Sequence, residues 1–205
     1  MTRPLLALLS LALCMPLLAL APEPDAVPRR WELDVTFGPL RVGTVDLEGQ
    51  GPRPFYYLTY KAANASASDL LLAPSFDLAD GSGKVFRSGR DVPAAATAAL
   101  IERQQNPSLR DQIAVLGPIL QGPEHAREGL VAWPAESLKP DSLTVYAAGF
   151  SGESALITPP GDADGTPASP TILRKTRMIR YDKVGDLTGR GDAPIPVAET
   201  RWIMR

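Results

Sequence analysis

The chain has 205 residues, with 21 basic and 23 acidic side chains and a formal net charge of −2. This near-neutral balance argues against a surface for nucleic acid or other polyphosphates, which needs clustered lysine and arginine. Proline and glycine number 21 and 17, a composition that favours many turns and short strands over long helices.

The first twenty-one residues have the pattern of a secretory signal peptide. Arg3 precedes an uncharged apolar run over residues 4–21, which closes on Ala-Leu-Ala. A basic start, an apolar middle and a small-residue exit predict export to the periplasm, the cell surface or the medium. Two alternatives stay open. Pro22 is an unfavourable neighbour for cleavage, so residues 4–21 could remain as a membrane anchor, and Cys14 could accept a lipid.

Cys14 is the single cysteine of the chain and lies within this leader. The remaining residues therefore have no thiol for a disulfide or a metal site, and their stability has to come from an apolar core. Residues 22–30 are rich in proline and acidic side chains, which predicts a flexible tether. A single domain is predicted over residues 31–205, because no internal segment has the composition of a linker.

Short strands separated by turns are predicted on both sides of a central insertion. Residues 31–37 alternate apolar and polar side chains, with Trp31, Leu33, Val35 and Phe37 on the inner face. The other predicted strands cover residues 40–45, 55–61, 70–72, 75–78, 84–88, 129–134, 143–150, 172–179 and 198–204. This succession predicts a mainly β fold, an antiparallel immunoglobulin-like sandwich.

The predicted strand over residues 55–61 is aromatic on both faces. Alternation places Tyr56 and Tyr60 on one face and Phe55 and Tyr57 on the other. We interpret it as a central strand of the core that is covered on both sides, rather than as an aromatic face for a ligand.

Residues 94–122 are predicted to form a short helical insertion. The alanine-rich segment 94–105 suits one helix, and Asn106-Pro107 supplies an N-cap followed by proline for the start of a second. Four apolar side chains are spaced to share one face of that second helix, which makes the face a candidate partner-docking surface: Leu109, Ile113, Leu116 and Leu120.

A resemblance to a known family rests on three segments, residues 87–93 (RSGRDVP), 121–131 (QGPEHAREGLV) and 201–205 (RWIMR). They resemble an uncharacterised family of exported planctomycete proteins with an immunoglobulin-like β-sandwich domain, and the resemblance covers most of residues 31–205. It implies a fold and an exported location. The family has no assigned chemistry, so the resemblance implies no catalytic or binding residues.

Residues 149–153, Gly-Phe-Ser-Gly-Glu, are the nearest match to a nucleophile elbow. Glu153 stands where the motif has glycine, and no helix is predicted after Ser151. The only histidine, His125, precedes the serine, whereas hydrolases with this elbow place it after the serine. We interpret the segment as a strand that ends in a turn, and keep a secreted serine hydrolase using Ser151 as an alternative.

No cofactor or metal site is predicted. His125 has no second histidine to share a metal ion with. Asp162 and Asp164 resemble the start of a calcium loop, but Pro167 and Pro170 stand where the loop should continue. We interpret this segment as a solvated acidic loop, and a calcium-stabilised adhesion domain stays an alternative.

Three short motifs have structural interpretations. Arg87, Arg90 and Asp91 suit an Arg–Asp pair that anchors the insertion to a sheet, or an anion-binding loop. The adhesion tripeptide at residues 190–192 is interpreted as an exposed turn. Residues 64–66, Asn-Ala-Ser, match the acceptor pattern for glycosylation.

The sequence thus favours an exported, non-enzymatic binding or structural domain. Its expected partner is a protein of the cell envelope or cell surface, and its ligand is unknown. The alternative is a membrane-tethered accessory subunit of an envelope complex, attached through residues 4–21 and docked through the helical insertion.

Overall fold

Two β-sheets contain most of the strands of this protein, for which a computed structural model describes residues 21–27, 30–159 and 169–205. The elements in chain order are β1 (Asp34–Phe37), β2 (Arg41–Leu47), β3 (Gly51–Asn64), β4 (Leu70–Leu72), β5 (Ser75–Asp80), β6 (Val85–Arg87), α1 (Ala94–Arg103), β7 (Leu109–Arg110), β8 (Gly117–Ile119), β9 (Gly122–Pro134), β10 (Ser142–Ala148), β11 (Ser154–Ile157), β12 (Thr171–Asp182) and β13 (Glu199–Met204). The prediction of a mainly β fold with a short helix is confirmed.

The sheets are antiparallel and enclose an apolar core. The first has the order β1-β3-β9-β7, with β2 also paired to β3, and the second has the order β11-β12-β10-β5-β6, with β13 also paired to β12. The short pairing of β7 with β9 is parallel. A separate ribbon consists of β4 and β8. The predicted antiparallel sandwich is therefore confirmed.

Four aromatic rings lie together in the core between the sheets. The ring centroid of Phe76 is 5.0 Å from that of Tyr60, 5.8 Å from that of Phe150 and 6.3 Å from that of Phe37. Most of these rings meet edge to face, the arrangement that aromatic quadrupoles favour. The predicted alternation in residues 31–37 is confirmed, because the apolar side chains of this segment belong to or pack against the same core.

Strand β3 contributes side chains to two cores. Tyr56 and Tyr60 belong to the core between the sheets. Phe55 and Tyr57 point to the other side, where they belong to a second core that includes Leu100 of α1. The interpretation of this aromatic segment as a central strand covered on both sides is confirmed.

The prediction of a second helix in the insertion is wrong. Helix α1 ends at Arg103, and the chain after it forms turns and the short strands β7 and β8. Gly117 and Gly122 have φ angles of 130° and 102°, which no α-helix includes. The pairing of β8 with β4 satisfies backbone groups that a helix would otherwise have bonded locally.

The four apolar side chains assigned to that helix consequently do not share a helical face. Leu109 is buried in the core next to α1, whereas Ile113, Leu116 and Leu120 are 69%, 43% and 44% exposed. Leu71 of β4 pairs with Pro118 of β8, and Leu116 and Leu120 lie two residues to either side of Pro118. Strand alternation therefore places Leu71, Leu116 and Leu120 on the outer face of the β4–β8 ribbon.

Several sequence predictions fall outside the described residues. They concern the leader except for Ala21, the lipid acceptor Cys14, and the calcium-loop residues Asp162 and Asp164. Within the described chain, no helix has both the length and the apolarity needed to cross a membrane.

Four core tyrosines make the fold sensitive to alkaline pH. Burial raises the pKa of Tyr56 to about 12 and also raises the pKa values of Tyr57, Tyr60 and Tyr181. The unfolded chain releases these protons near pH 10, so the folded state binds more protons above that pH and loses stability as pH rises. We expect the free energy of unfolding to fall by about 1.4 kcal/mol per pH unit for each tyrosine.

Urea unfolding between pH 9 and 12, with phenolate absorbance as a second signal, tests this expectation. Tyr60→Phe should lower the slope by about one quarter. Complete phenolate formation near pH 10 in the folded protein would contradict the assignment.

Candidate functional site

A cleft of about 990 Å³ opens beside β13. One wall is formed by residues 21–26 and the other by Arg201, Trp202, Ile203 and Met204 of β13; Glu32 and Lys175 also line the cleft. It thus gathers stretches of chain that are far apart in sequence.

Lys175 is a buried cation beside this cleft. It lies on β12, and its side chain is only 4% exposed. Its Nζ atom is 2.7 Å from Oε2 of Glu32 and 3.2 Å from Oε2 of Glu153. The backbone amide of Lys175 also donates a hydrogen bond to the carbonyl oxygen of Glu153, at 3.1 Å. We call these three residues the Lys175 cluster.

The charges of the Lys175 cluster hold the lysine in its ammonium form. Burial disfavours a charged amine, but the hydrogen bonds and charges of Glu32 and Glu153 outweigh this effect, and the net result is a raised pKa for Lys175. A nucleophilic or basic lysine needs the neutral amine. The cluster therefore offers fixed charges to a ligand rather than a reactive amine, with one negative charge in excess when all three groups are ionised.

Trp202 adds an aromatic surface to the cleft. Its ring centroid is 5.5 Å from Nζ of Lys175 and 5.3 Å from the guanidinium carbon of Arg177. Trp202 and Arg177 are direct partners across β13 and β12, which fixes the indole beside both cations. Cations attract the face of an indole ring at these distances.

The segment before the first sheet contacts the Lys175 cluster directly. The backbone amide of Asp25 donates a hydrogen bond to Oε1 of Glu153, at 2.7 Å. This contact holds one wall of the cleft against its charged group. The flexible tether over residues 22–30 stays a prediction for the rest of that segment.

Ser151 lies close to the cluster in sequence but is not paired with a base. Its hydroxyl oxygen accepts a hydrogen bond from the backbone amide of Glu153, at 3.1 Å. The chain then enters β11 rather than a helix. His125 lies on β9, with its Nε2 atom 3.8 Å from Oε1 of Glu124. In the described chain no hydrogen bond or ion pair joins Ser151 to His125, and the arrangement fits the predicted turn.

Arg87, Arg90 and Asp91 lie together at a second cleft, of about 580 Å³. The acidic partner of Arg87 is Asp77, at 3.8 Å, and Arg205 contacts the other carboxylate oxygen of Asp77 at 2.8 Å. The side chain of Arg87 is 78% exposed. The structure thus shows Arg87 paired with Asp77, and both the Arg–Asp pair with Asp91 and the anion-binding role stay predictions.

Two other motifs have defined surroundings. Asn64 is 1% exposed, and its Nδ2 atom donates to the carbonyl oxygens of Ser68 and Ile119 at 2.8 and 3.1 Å. This amide is unavailable for glycosylation in the folded protein. The tripeptide at residues 190–192 is exposed, as predicted, and its arginine donates to the carbonyl oxygen of Pro194.

Among the described residues, no group of three histidine, cysteine or acidic side chains is placed to hold a metal ion.

The sequence motifs do not identify the Lys175 cluster. One signal for it exists in the predicted strand over residues 172–179, where alternation puts Lys175 and Arg177 on the same face as Ile179. A cation on an inward face requires a buried partner.

The comparisons with known proteins add no candidate: the chain matches no protein-family model, no curated protein and no solved structure.

Proposed function

We propose that this protein is an exported, non-enzymatic binding domain and that its ligand occupies the cleft beside β13. The observation that carries the proposal is the position of the Lys175 cluster, a buried set of charges at the border of an open cleft. Burying charges costs free energy, and fixed charges beside an aromatic ring are a common means of orienting a ligand.

Binding explains the cluster better than catalysis does. The raised pKa of Lys175 keeps the amine protonated, so it supplies neither a base nor a nucleophile near neutral pH. The hydroxyl oxygen of Ser151 accepts a hydrogen bond from the backbone amide of Glu153, and no hydrogen bond joins Ser151 to His125 among the described residues. A fixed cation and its carboxylates support recognition of a charged ligand.

The exported location rests on the amino-acid pattern of the leader. Arg3, the apolar run over residues 4–21 and its small-residue exit support delivery out of the cytoplasm. The absence of cysteine after Cys14 is compatible with that location, because the domain needs no disulfide chemistry to fold. The partner we expect is a protein of the envelope or cell surface.

Site-directed photo-crosslinking in living cells tests this function. A benzophenone amino acid replaces Ile203, which lines the cleft, or Leu120, which is exposed on the β4–β8 ribbon. We expect a discrete adduct from position 203 and none from position 120. Trp202→Ala should remove the adduct without changing the amount of protein.

An adduct from position 120 alone would overturn the cleft as the binding site and move the function to the apolar ribbon. Absence of any adduct from position 203 would also contradict the proposal. A hydrolytic activity of the purified chain that Ser151→Ala abolishes would overturn its non-enzymatic part.

A further inference from the structure

The outer edge of β13 faces the cleft and pairs with no other strand of the described chain. Among the described residues β13 pairs with β12 alone. Just beyond this pairing, Arg174 and Arg205 exchange both backbone hydrogen bonds, at 2.8 and 3.1 Å. Bonded and non-bonded pairs alternate along antiparallel strands, so Met204 and Trp202 direct their amides and carbonyls away from β12. Both residues line the cleft.

The edge of β2, another long edge strand, is partly occupied by other parts of the chain. Along β2, the carbonyl of Thr44 accepts a hydrogen bond from Arg103, at 2.7 Å. The carbonyl of Leu40, next to the start of β2, accepts one from the amide of Ile195, at 2.9 Å. Proteins usually block or shorten exposed edges because an unpaired edge recruits another strand. An open edge inside a cleft therefore indicates a place for an added strand.

The opposite wall of the cleft is poorly suited to supply that strand. Residues 21–26 include Pro22 and Pro24, which have no backbone amide to donate. The backbone amide of Asp25 is directed to Oε1 of Glu153 rather than to β13. The cleft lies between the two walls, and an incoming strand has room to enter it.

The charges around the cleft favour a basic occupant. Glu23 and Glu32 line it, and Lys175 is already shared between Glu32 and Glu153. The second basic residue of the lining, Arg201, is paired with Glu199 through a contact of 3.2 Å. The lining cations are thus neutralised by carboxylates of this chain, and negative charge is left in excess.

The Lys175 cluster adds to this excess of negative charge. The Oε2 atoms of Glu32 and Glu153 face Lys175, at 2.7 and 3.2 Å from its Nζ atom. One ammonium group thus compensates two carboxylates, and a lysine or arginine side chain entering the cleft would supply a further cation.

We propose that an extended, basic segment of a partner protein adds to the free edge of β13 as a further strand. Main-chain hydrogen bonds to Trp202 and Met204 hold the segment, and its alternate basic side chains point to Glu23 and Glu32. The inference rests on the proposed binding function and specifies the chemistry of the partner.

Fluorescence anisotropy with the whole 205-residue chain tests strand addition. The probe is a fluorescein-labelled octapeptide of alternating lysine and threonine. One comparison peptide has glutamate in place of lysine, and another has N-methyl groups on alternate backbone amides. We expect the lysine peptide to bind about tenfold more tightly than either comparison peptide. The glutamate peptide loses the charge pairing, and the N-methylated peptide loses about two main-chain hydrogen bonds. Equal binding of the lysine and N-methylated peptides, or no binding, would overturn the proposal.

Matched variants locate the peptide on the protein. Glu32→Gln should weaken binding of the lysine peptide about threefold, whereas Glu124→Gln, on the exposed start of β9, should leave it unchanged. Equal effects of the two substitutions would overturn the location. If crosslinking from position 203 succeeds and the lysine peptide does not bind, strand addition is wrong and the binding function stands. If neither succeeds, both fail.

Discussion

Replacing Lys175 by methionine is expected to destabilise the fold by about 3 kcal/mol, because Glu32 and Glu153 then lose the cation that compensates their buried charges. The methionine fills much of the same space, so the loss is electrostatic rather than a matter of volume. For a chain of this size the midpoint of thermal unfolding should fall by about 6–12 °C. Urea unfolding at pH 7 measures the change in free energy.

Two control variants separate this effect from a general effect of removing a lysine. Lys61→Met removes a cation that is 3.4 Å from Glu128 and 57% exposed, and it should change stability by less than about 1 kcal/mol. Adding Glu32→Gln and Glu153→Gln to Lys175→Met should restore at least half of the loss, since the carboxylates are then neutral. Equal destabilisation by Lys61→Met and Lys175→Met would contradict the interpretation of the cluster.

Truncation of Phe76 is expected to have an effect of similar or larger size. Its side chain is 1% exposed and contacts three other aromatic rings between the sheets. Phe76→Ala removes those contacts and leaves a cavity, so we expect a loss of about 3–5 kcal/mol in the free energy of unfolding. Chemical denaturation with tryptophan fluorescence as the signal measures it.

The same core offers graded controls. Phe76→Leu keeps most of the volume and should cost clearly less than Phe76→Ala. Val85→Ala, on the neighbouring β6 and 51% exposed, should cost about 0.5 kcal/mol or less. A double-mutant cycle with Phe150→Ala should give a coupling of about 0.5–1.5 kcal/mol, because the two rings meet edge to face. Additive effects would show that the rings do not form one packing unit.

Local pattern predicts the strands of this protein well. Alternation is a property of each segment alone, and it identifies residues 31–37 and the aromatic segment of β3 with the faces that the structure gives them. Helix α1 is predicted for the same reason, since its alanine-rich sequence favours a helix wherever it is placed.

Local pattern fails where a distant partner decides the structure. Residues from Leu109 to Leu120 have helical spacing, but β7 pairs with β9 and β8 pairs with β4. The positive φ angles of Gly117 and Gly122 suit these strand pairings and exclude a helix. The glycines are visible in the sequence, whereas the strands that compete with the helix are not.

The candidate site could not be predicted for a related reason. The Lys175 cluster brings together residues that are far apart in sequence, since Glu32 lies more than a hundred residues before Glu153 and Lys175. No sequence motif links the three residues. The alternation of side-chain direction along β12 identifies Lys175 as an inward-facing cation but does not identify its partners. Only the pairing of the sheets brings the three together.

The two-sided burial of β3 has a consequence for how the chain finds its alignment. A slip of one residue normally exposes an apolar face, but here it would place aromatic side chains in both cores again. Burial of the aromatic residues alone therefore does not define the alignment of β3 with β9. Shape contributes, because the ring of Tyr60 lies over Gly129, where a Cβ atom would come within 2.5 Å of it. A single missing side chain on β9 thus encodes positional information that the apolar pattern lacks.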